Sequence, residues 1–174
     1  LPGFGQTIEA ALRCLYPDLD AEVMHAAVDE EAAAAPAGAA GCRIDLHEAV
    51  PAAEEAAQAA AKHGRPVAAR AVAESAARAL REKFDTLERT RFSPRRVCLV
   101  GGPSRSPVWR GIIAAMLGRH VSLLHSQHAA AAGAAILAGV GSGVLRDIVE
   151  GFRRYGEEER TLEPDPALVS AYAG

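Results

Sequence analysis

The residue types best suited to bind a ligand stand in one predicted strand-to-helix turn. The stretch VCLVGGPSRSPVWR begins with four apolar residues, continues through Gly101 and Gly102, and reaches Pro107, where a helical pattern starts. Two glycines at such a turn leave backbone N–H groups open to a ligand, and the helix dipole favours an anion there. Ligands of open α/β sheets bind at this edge. Spacing alone leaves two interpretations open: a tight turn without a ligand, or a cradle for an anion.

Three well-known uses of a glycine turn do not fit this sequence. A phosphate-binding P-loop requires a lysine within its motif, and no lysine follows Lys83. A dinucleotide-binding turn requires GxGxxG and an acidic residue about 20 positions later, where this chain has Ser122 to His125. A hydrolase elbow requires GxSxG, but Ser106 replaces the last glycine and no histidine follows Asp147. The turn therefore has no catalytic group of its own in any of these schemes.

Histidine and cysteine spacing does not predict a metal site. His125 and His128 are three residues apart, with Cys98 on a neighbouring predicted strand, but four ligands are usual in structural zinc sites. The three cysteines include no CxxC pair, which favours a reducing, cytoplasmic setting. Cys98 lies in an apolar run, where we expect it to pack as a small hydrophobic residue.

Composition excludes several classes of partner. The chain has 174 residues, enough for one domain with a core that needs no disulfide, and its formal net charge is -3. No basic surface for nucleic acid is therefore expected. Its alanine-rich runs are interrupted by polar residues or proline and fall short of the roughly 18 apolar residues that span a bilayer. We expect neither a nucleic-acid nor a membrane partner.

The elements that must position the turn form a strand, helix, strand unit with a parallel pair of strands. The first strand, RVCLV, is predicted to be buried on both faces. Trp109, in the first turn of the following helix, either packs on the sheet or forms the wall of a pocket for a planar base. The predicted helices span 6–15, about 20–34, 51–63, 65–89, 107–117, 127–143 and 144–155, and the predicted strands span 42–46, 96–100 and 120–124.

The chain from the turn onward resembles the C-terminal domain of the FGGY carbohydrate kinases, the group of xylulokinase, rhamnulokinase and glycerol kinase. In that family a buried strand leads into GGG-(A/S)-x-S-x-x-W, a helix ending in L-G-x-x-V and an alanine-rich helix. The matching residues are Gly101, Gly102, Ser104, Ser106, Trp109, Leu117, Gly118, Val121, Ala129, Ala130, Gly133, Ala134, Ala135 and Ala138. Upstream and downstream, the matching residues are Arg70, Ala71, Glu74, Ala76, Arg81 and Tyr172.

The resemblance implies an α/β fold, the C-terminal domain of an actin-like (ribonuclease H-like) ATPase, present in part and with added N-terminal helices. Residues 1–65 would form a poorly matched helical part, and residues 66–174 the ATP-binding core. ATP, with Mg²⁺, would bind at Gly101, Gly102, Pro103, Ser104 and Ser106. A sugar or polyol would bind in the cleft to an N-terminal domain that this chain lacks.

Some residues depart from the family pattern. Pro103 replaces the usual third glycine and removes one N–H from the turn. Ala73 and Ser75 replace a larger apolar residue and a glycine, and His128 stands where glutamate is frequent. Residues 1–65 lack the glycine-rich opening strands.

The resemblance places the catalytic base in the N-terminal domain. We therefore expect no catalytic residue in this chain and no turnover by it alone. The alternative is a non-catalytic relic that binds a nucleotide or a partner. A homodimer is compatible with the sequence, which fixes neither the oligomeric state nor the sugar.

Overall fold

The computed structural model describes residues 4–90, 94, 96–124, 129–155 and 158–173 of the chain. These residues are mostly helical, with one small sheet. The helices are α1 (Phe4–Leu15), α2 (Ala21–Ala34), α3 (Ala49–His63), α4 (Arg65–Arg89), α5 (Gly102–Arg105), α6 (Pro107–Leu117), α7 (Ala129–Gly141), α8 (Ile148–Tyr155) and α9 (Pro166–Tyr172). The strands are β1 (Val97–Leu99), β2 (Val121–Leu124) and β3 (Glu158–Leu162). Among the described residues, no helix has both the length and the apolar character of a membrane span.

Helices α1 to α4 pack together and are called the helical body here, with α4 as its central element. The bounds of α4 are those predicted, since Pro66 occupies the first turn, where a missing N–H costs no intrahelical bond. It packs against α1, α2, α3 and α6, and its N-terminal half is rich in buried alanines. These small side chains let neighbouring helices approach closely, which explains how an alanine-rich chain closes a core.

One hydrophobic core joins the N-terminal helices to α6, the helix that follows the candidate turn at residues 101–106. Its largest fully buried side chains include Tyr16 and Leu12 from the N-terminal part and Ile112 from α6. Trp109 belongs to the same core. Helix α6 is therefore held against the helical body. The predicted division into residues 1–65 and 66–174 stays a prediction.

The sheet confirms the parallel pair and corrects the expected burial of its first strand. In β1, Val97 pairs in parallel with Val121 and Leu99 with Leu123, while β3 runs antiparallel to β2. The strand order is β1-β2-β3, so among the described residues β1 has a neighbour on one side only. As an edge strand it is only half-buried, and the prediction of burial on both faces is wrong. Cys98 is exposed, so its predicted packing is also wrong.

Two further segments differ from the sequence expectations. The predicted strand at 42–46 is wrong, since within the described part of the chain these residues form no strand; the Ile44 N–H donates instead to Ser75 Oγ at 3.0 Å and the Asp45 N–H to a Glu55 carboxylate oxygen at 2.6 Å. Helix α8 begins at Ile148 rather than at residue 144, since Asp147 accepts the Glu150 N–H at 2.7 Å and caps the helix. Strand β3 and helix α9 were not expected in the acidic tail.

Candidate functional site

The candidate turn follows β1 directly and is closed by hydrogen bonds to one carbonyl oxygen. Gly101 has φ +79° and ψ -156°, a backbone conformation that residues with a Cβ rarely adopt. Its carbonyl oxygen accepts the Ser104 N–H at 3.2 Å and the Ser104 hydroxyl at 2.7 Å. The turn itself thus requires glycine at position 101, as the interpretation without a ligand expects.

Gly102 has no such local explanation. It is exposed, its φ lies outside the left-handed range, and a Cβ built on it would meet no atom within 4 Å. Neither the backbone nor the packing of the described residues therefore demands glycine here. The missing side chain leaves the start of α5 open to a ligand, which fits the interpretation of the turn as an anion cradle.

Pro103 is half-buried in the first turn of α5. A proline is tolerated at this position because the N–H it lacks would have no partner within the helix. The same absence leaves one fewer donor for a bound anion. Pro103 therefore fits the backbone of the turn but provides no N–H group for a bound anion.

Ser106 joins the turn to the helical body. Its Oγ accepts the Trp109 N–H at 3.0 Å, which caps α6, and donates to Asp29 Oδ1 on α2 at 2.6 Å. Ser104 and Ser106 are each 9% exposed, and both hydroxyls are bonded within the protein. Their direct contact with a nucleotide stays a prediction. The hydrogen bonds of the two hydroxyl groups position the backbone of the turn.

Trp109 is 7% exposed and packs in the main core. This burial favours packing over a pocket wall, but the indole lies in the main core with the N-terminal helices and not in the small cluster formed with β2, so packing on the sheet stays a prediction. An indole that formed the wall of an open pocket would be more exposed.

A buried polar network ties the last helix to the centre of the domain. Arg70 Nε donates to Glu74 Oε1 at 2.7 Å, and Arg70 Nη2 donates to the Tyr172 hydroxyl at 2.8 Å. Tyr172 in turn donates to Glu74 Oε1 at 2.8 Å. Burial, and then the bond to Glu74, raises the pKa of Tyr172 to about 12. The resemblance matched these three residues, but the sequence did not show that they meet.

The same arginine also fixes the end of α2. Arg70 Nη1 donates to the carbonyl oxygens of Ala32 and Ala35 at 3.0 and 3.1 Å. These carbonyls belong to the last turn of α2 and to its C-cap, where the helix has no N–H to offer them. Since α2 also carries Asp29, the network and the Ser106 contact fix the same helix.

A second polar cluster lies at the start of α4. Arg65 donates two hydrogen bonds from its Nε and Nη2 atoms to Glu31 Oε1, at 3.0 and 2.6 Å, and the Tyr16 hydroxyl donates to Glu31 Oε2 at 3.1 Å. The Arg65 guanidinium lies 4.8 Å from the centre of the Tyr16 ring. Hydrogen bonding from Arg65 lowers the pKa of Glu31, whereas burial raises the pKa of Tyr16.

The histidines considered as metal ligands do not form a described site. His125 and His128 lie outside the described residues, and Cys98 is exposed on β1. Over the described ranges, no group of three or more histidine, cysteine, aspartate or glutamate side chains is placed to hold a metal ion.

The family model for the C-terminal domain of the FGGY family of carbohydrate kinases matches residues 6–142. This range extends from α1 through the candidate turn to the end of α7.

The chain is also similar to individual kinases and to their solved structures. Autoinducer-2 kinase from Escherichia coli (strain K12) is 35% identical over 79 residues, which are 45% of this chain and 15% of that protein. The structure of xylulose kinase from Rhodospirillum rubrum is similar with a TM-score of 0.72 and 27% identity, over 97% of this chain and 35% of that one. Ligand-bound xylulose kinase from Lactobacillus acidophilus, with a TM-score of 0.69 and 20% identity, shares the fold. The chain thus spans about a third of the solved kinases and less of the curated relative.

Proposed function

Because the chain belongs to the FGGY family of carbohydrate kinases, and matches its C-terminal domain, we propose that it is the ATP-binding part of such a kinase. The complete enzyme would transfer the γ-phosphoryl group of ATP, with Mg²⁺, to a hydroxyl group of a sugar or polyol. The bond between the γ-phosphorus and the bridging oxygen breaks, a bond to the hydroxyl oxygen forms, and a carboxylate accepts the hydroxyl proton. That carboxylate would belong to the N-terminal domain.

The observation that carries this proposal is the family match over residues 6–142, a range that includes the turn at Gly101 and Gly102. Phosphoryl transfer depends on holding the phosphates in place, and backbone N–H groups near a strand-to-helix turn can do so without a charged side chain. Gly101 forms the turn, and Ser104 and Ser106 hold its backbone through buried hydroxyl groups. The described residues thus fit a site at which the backbone, rather than a lysine, contacts the nucleotide.

For the nucleotide we propose ATP, whereas for the sugar we propose only a class of substrate. The structure of Rhodospirillum rubrum xylulose kinase, similar over nearly the whole chain at 27% identity, supports a xylulokinase-like substrate, that is, a ketose or a related polyol. The autoinducer-2 kinase match covers less than half of the chain and does not narrow the substrate further.

Pro103 favours a second candidate, a relic that keeps the fold without catalysis. Its ring removes an N–H from the first turn of α5, where a phosphate would receive it. A relic would keep the core and the buried networks, since these stabilise the domain, while its affinity for a nucleotide would decline.

Calorimetric titration tests nucleotide binding, which the kinase proposal requires and which a relic can lose. ATP and ADP, each with Mg²⁺, are titrated into the folded chain, and into the chain mixed with an N-terminal kinase half. The kinase proposal predicts saturable binding of both nucleotides. A folded chain that takes up neither nucleotide under either condition supports the relic and overturns the kinase proposal.

A further inference from the structure

Helices α7 and α8 pack against each other and form a two-helix unit, residues 129–155, which we call the α7–α8 hairpin. In the part of the chain that the structure describes, five of the nine large apolar side chains that are exposed belong to this hairpin. They are Leu137, Val144, Ile148, Val149 and Phe152. Single exposed apolar residues are common, whereas their concentration in one unit indicates a surface that a partner covers.

Helix α7 has the composition of a buried helix but is mostly exposed. None of its thirteen residues has a polar side chain, and of these residues only Ile136 is buried. A helix that is apolar on all sides is normally surrounded by protein or by lipid. At 1.5 Å per residue α7 is about 20 Å long, which is shorter than the roughly 30 Å apolar layer of a membrane. The composition therefore indicates that another part of a protein covers α7.

The hairpin is formed before any partner binds. A Cβ built on Gly139 would lie 2.8 Å from Leu145 Cδ1, and a Cβ built on Gly151 would lie 2.5 Å from Ile136 Cγ2. These two glycines therefore make room for the side chains that hold the hairpin together. The Leu145 N–H also donates to the Gly139 carbonyl oxygen at 2.9 Å. A preformed surface loses little affinity to ordering the protein.

Gly133 has no such reason within the described residues. It lies inside α7, where glycine destabilises a helix relative to alanine, and a Cβ built on it would meet no atom within 4 Å. Leu137, four residues later on the same face of the helix, is 62% exposed. A partner that approaches the backbone of α7 closely at Gly133 would explain the glycine.

The charged side chains at α8 bind one another. Arg146 Nε lies 2.9 Å from Asp147 Oδ2, and Arg154 Nη2 lies 2.8 Å from Glu150 Oε1. The two ion pairs thus neutralise each other's charges without a partner. We therefore expect apolar contact and shape, rather than charge, to determine what the hairpin binds.

The comparisons indicate which partner covers the hairpin. The family match ends at residue 142 and includes all of α7, so this apolar helix belongs to the matched kinase domain. The similarity to Rhodospirillum rubrum xylulose kinase covers 97% of this chain but 35% of that protein, so most of that kinase has no counterpart in this chain. We propose that the α7–α8 hairpin is the surface to which the N-terminal part of the kinase docks. This inference rests on the proposed function, since it requires the chain to act as part of a kinase.

Sedimentation velocity and hydrogen exchange test the proposal on the whole chain. The probe is Rhodospirillum rubrum xylulose kinase without the segment that is similar to this chain, and circular dichroism first establishes that the probe is folded. We expect a complex of one copy of each protein, in which residues 129–155 exchange more slowly than in the free chain and α3 exchanges at an unchanged rate. Absence of a complex, or a complex in which exchange at 129–155 is unchanged, overturns the proposal. A chain that forms dimers through the hairpin by itself also overturns it, because a second copy would then be the partner.

Substitutions assign the docking surface to individual residues. Gly133→Leu should weaken the complex about tenfold or more because its side chain blocks close approach, and Phe152→Ser should do so because it removes apolar contact. Val50→Ser is the matched control, since Val50 is an exposed apolar residue on α3, and it should leave the affinity unchanged. If Gly133→Leu fails to fold, Phe152→Ser decides, because position 152 is exposed and tolerates serine. Unchanged affinity in folded Phe152→Ser contradicts the proposal.

Failure of this inference is distinguishable from failure of the nucleotide site. Docking is measured without nucleotide, and Phe152→Ser should bind MgADP as wild type does. A chain that binds MgADP but forms no complex with the probe contradicts the docking surface alone. A chain that forms the complex but takes up no nucleotide contradicts the nucleotide site alone.

Discussion

The Ser106 hydroxyl donates to Asp29 Oδ1 at 2.6 Å and joins two residues that lie 77 positions apart in the sequence. Since Ser106 also caps α6, one side chain fixes both the end of the candidate turn and its distance from α2. The position of the turn therefore depends on the N-terminal helices as well as on the strand that precedes it.

Replacing Ser106 should destabilise the domain. Ser106→Ala removes the cap of α6 and leaves Asp29 without this donor, so we expect a loss of about 1–2 kcal/mol in the free energy of unfolding. Urea denaturation measures this loss. Ser170→Ala, at an exposed position on α9, is the matched control and should change stability by less than about 0.5 kcal/mol. Equal stability of wild type and Ser106→Ala would show that the bond to Asp29 contributes nothing.

The two glycines of the turn should respond differently to alanine. Gly101→Ala forces a Cβ into a backbone with φ +79° and should cost about 1 kcal/mol or more. Gly102→Ala meets no neighbouring atom and has ordinary φ, so it should be neutral or stabilise by up to about 1 kcal/mol through the unfolded state. Denaturant midpoints of the two variants give the comparison. If both cost the same, the assignment of separate roles is wrong.

The buried network should make α9 part of the cooperative fold. Tyr172→Phe removes a hydroxyl that both Arg70 and Glu74 contact, and we expect a loss of about 1–3 kcal/mol. A double-mutant cycle with Glu74→Gln measures whether Tyr172 and Glu74 act together. The expected coupling is at least about 0.5 kcal/mol. Additive effects of the two substitutions would mean that the network is not a unit.

Stability should fall at acid pH, and part of that fall should belong to Glu31. Its pKa is lowered in the folded state, chiefly by the hydrogen bonds from Arg65, so the folded protein holds the proton less tightly than the unfolded chain does. The resulting stabilisation is complete above the unfolded pKa and is lost as the pH falls through the folded pKa. Unfolding free energies of wild type and Glu31→Gln, measured from pH 7 to pH 3, should converge as the pH falls. A constant difference over this range would contradict the account.

Local signals in the sequence predicted several elements well. Helices α4 and α6 have the predicted bounds because a proline marks each first turn, and Gly118 ends α6 in a left-handed conformation. The parallel pairing of β1 with β2 and the family resemblance are also confirmed.

Features that depend on distant segments were not predictable in this way. The edge position of β1 depends on which strands pair, and β3 forms through its pairing with β2. The contact between Ser106 and Asp29 joins helices far apart in the sequence. At the turn, the sequence contains two adjacent glycines, but it does not show that only Gly101 has a positive φ. Backbone angles and contacts between distant elements, rather than residue type, distinguish these roles.

The affinity of the chain for MgADP, compared between wild type and Gly102→Val, tests the central claim most directly. Gly5→Val is the matched control, since Gly5 is also exposed in the first turn of a helix and a Cβ there meets no atom within 4 Å. We predict that all three proteins fold, that Gly5→Val binds MgADP as wild type does, and that Gly102→Val binds at least about tenfold more weakly because its side chain blocks the backbone. Equal affinity of Gly102→Val and wild type would contradict the assignment of this turn to the nucleotide.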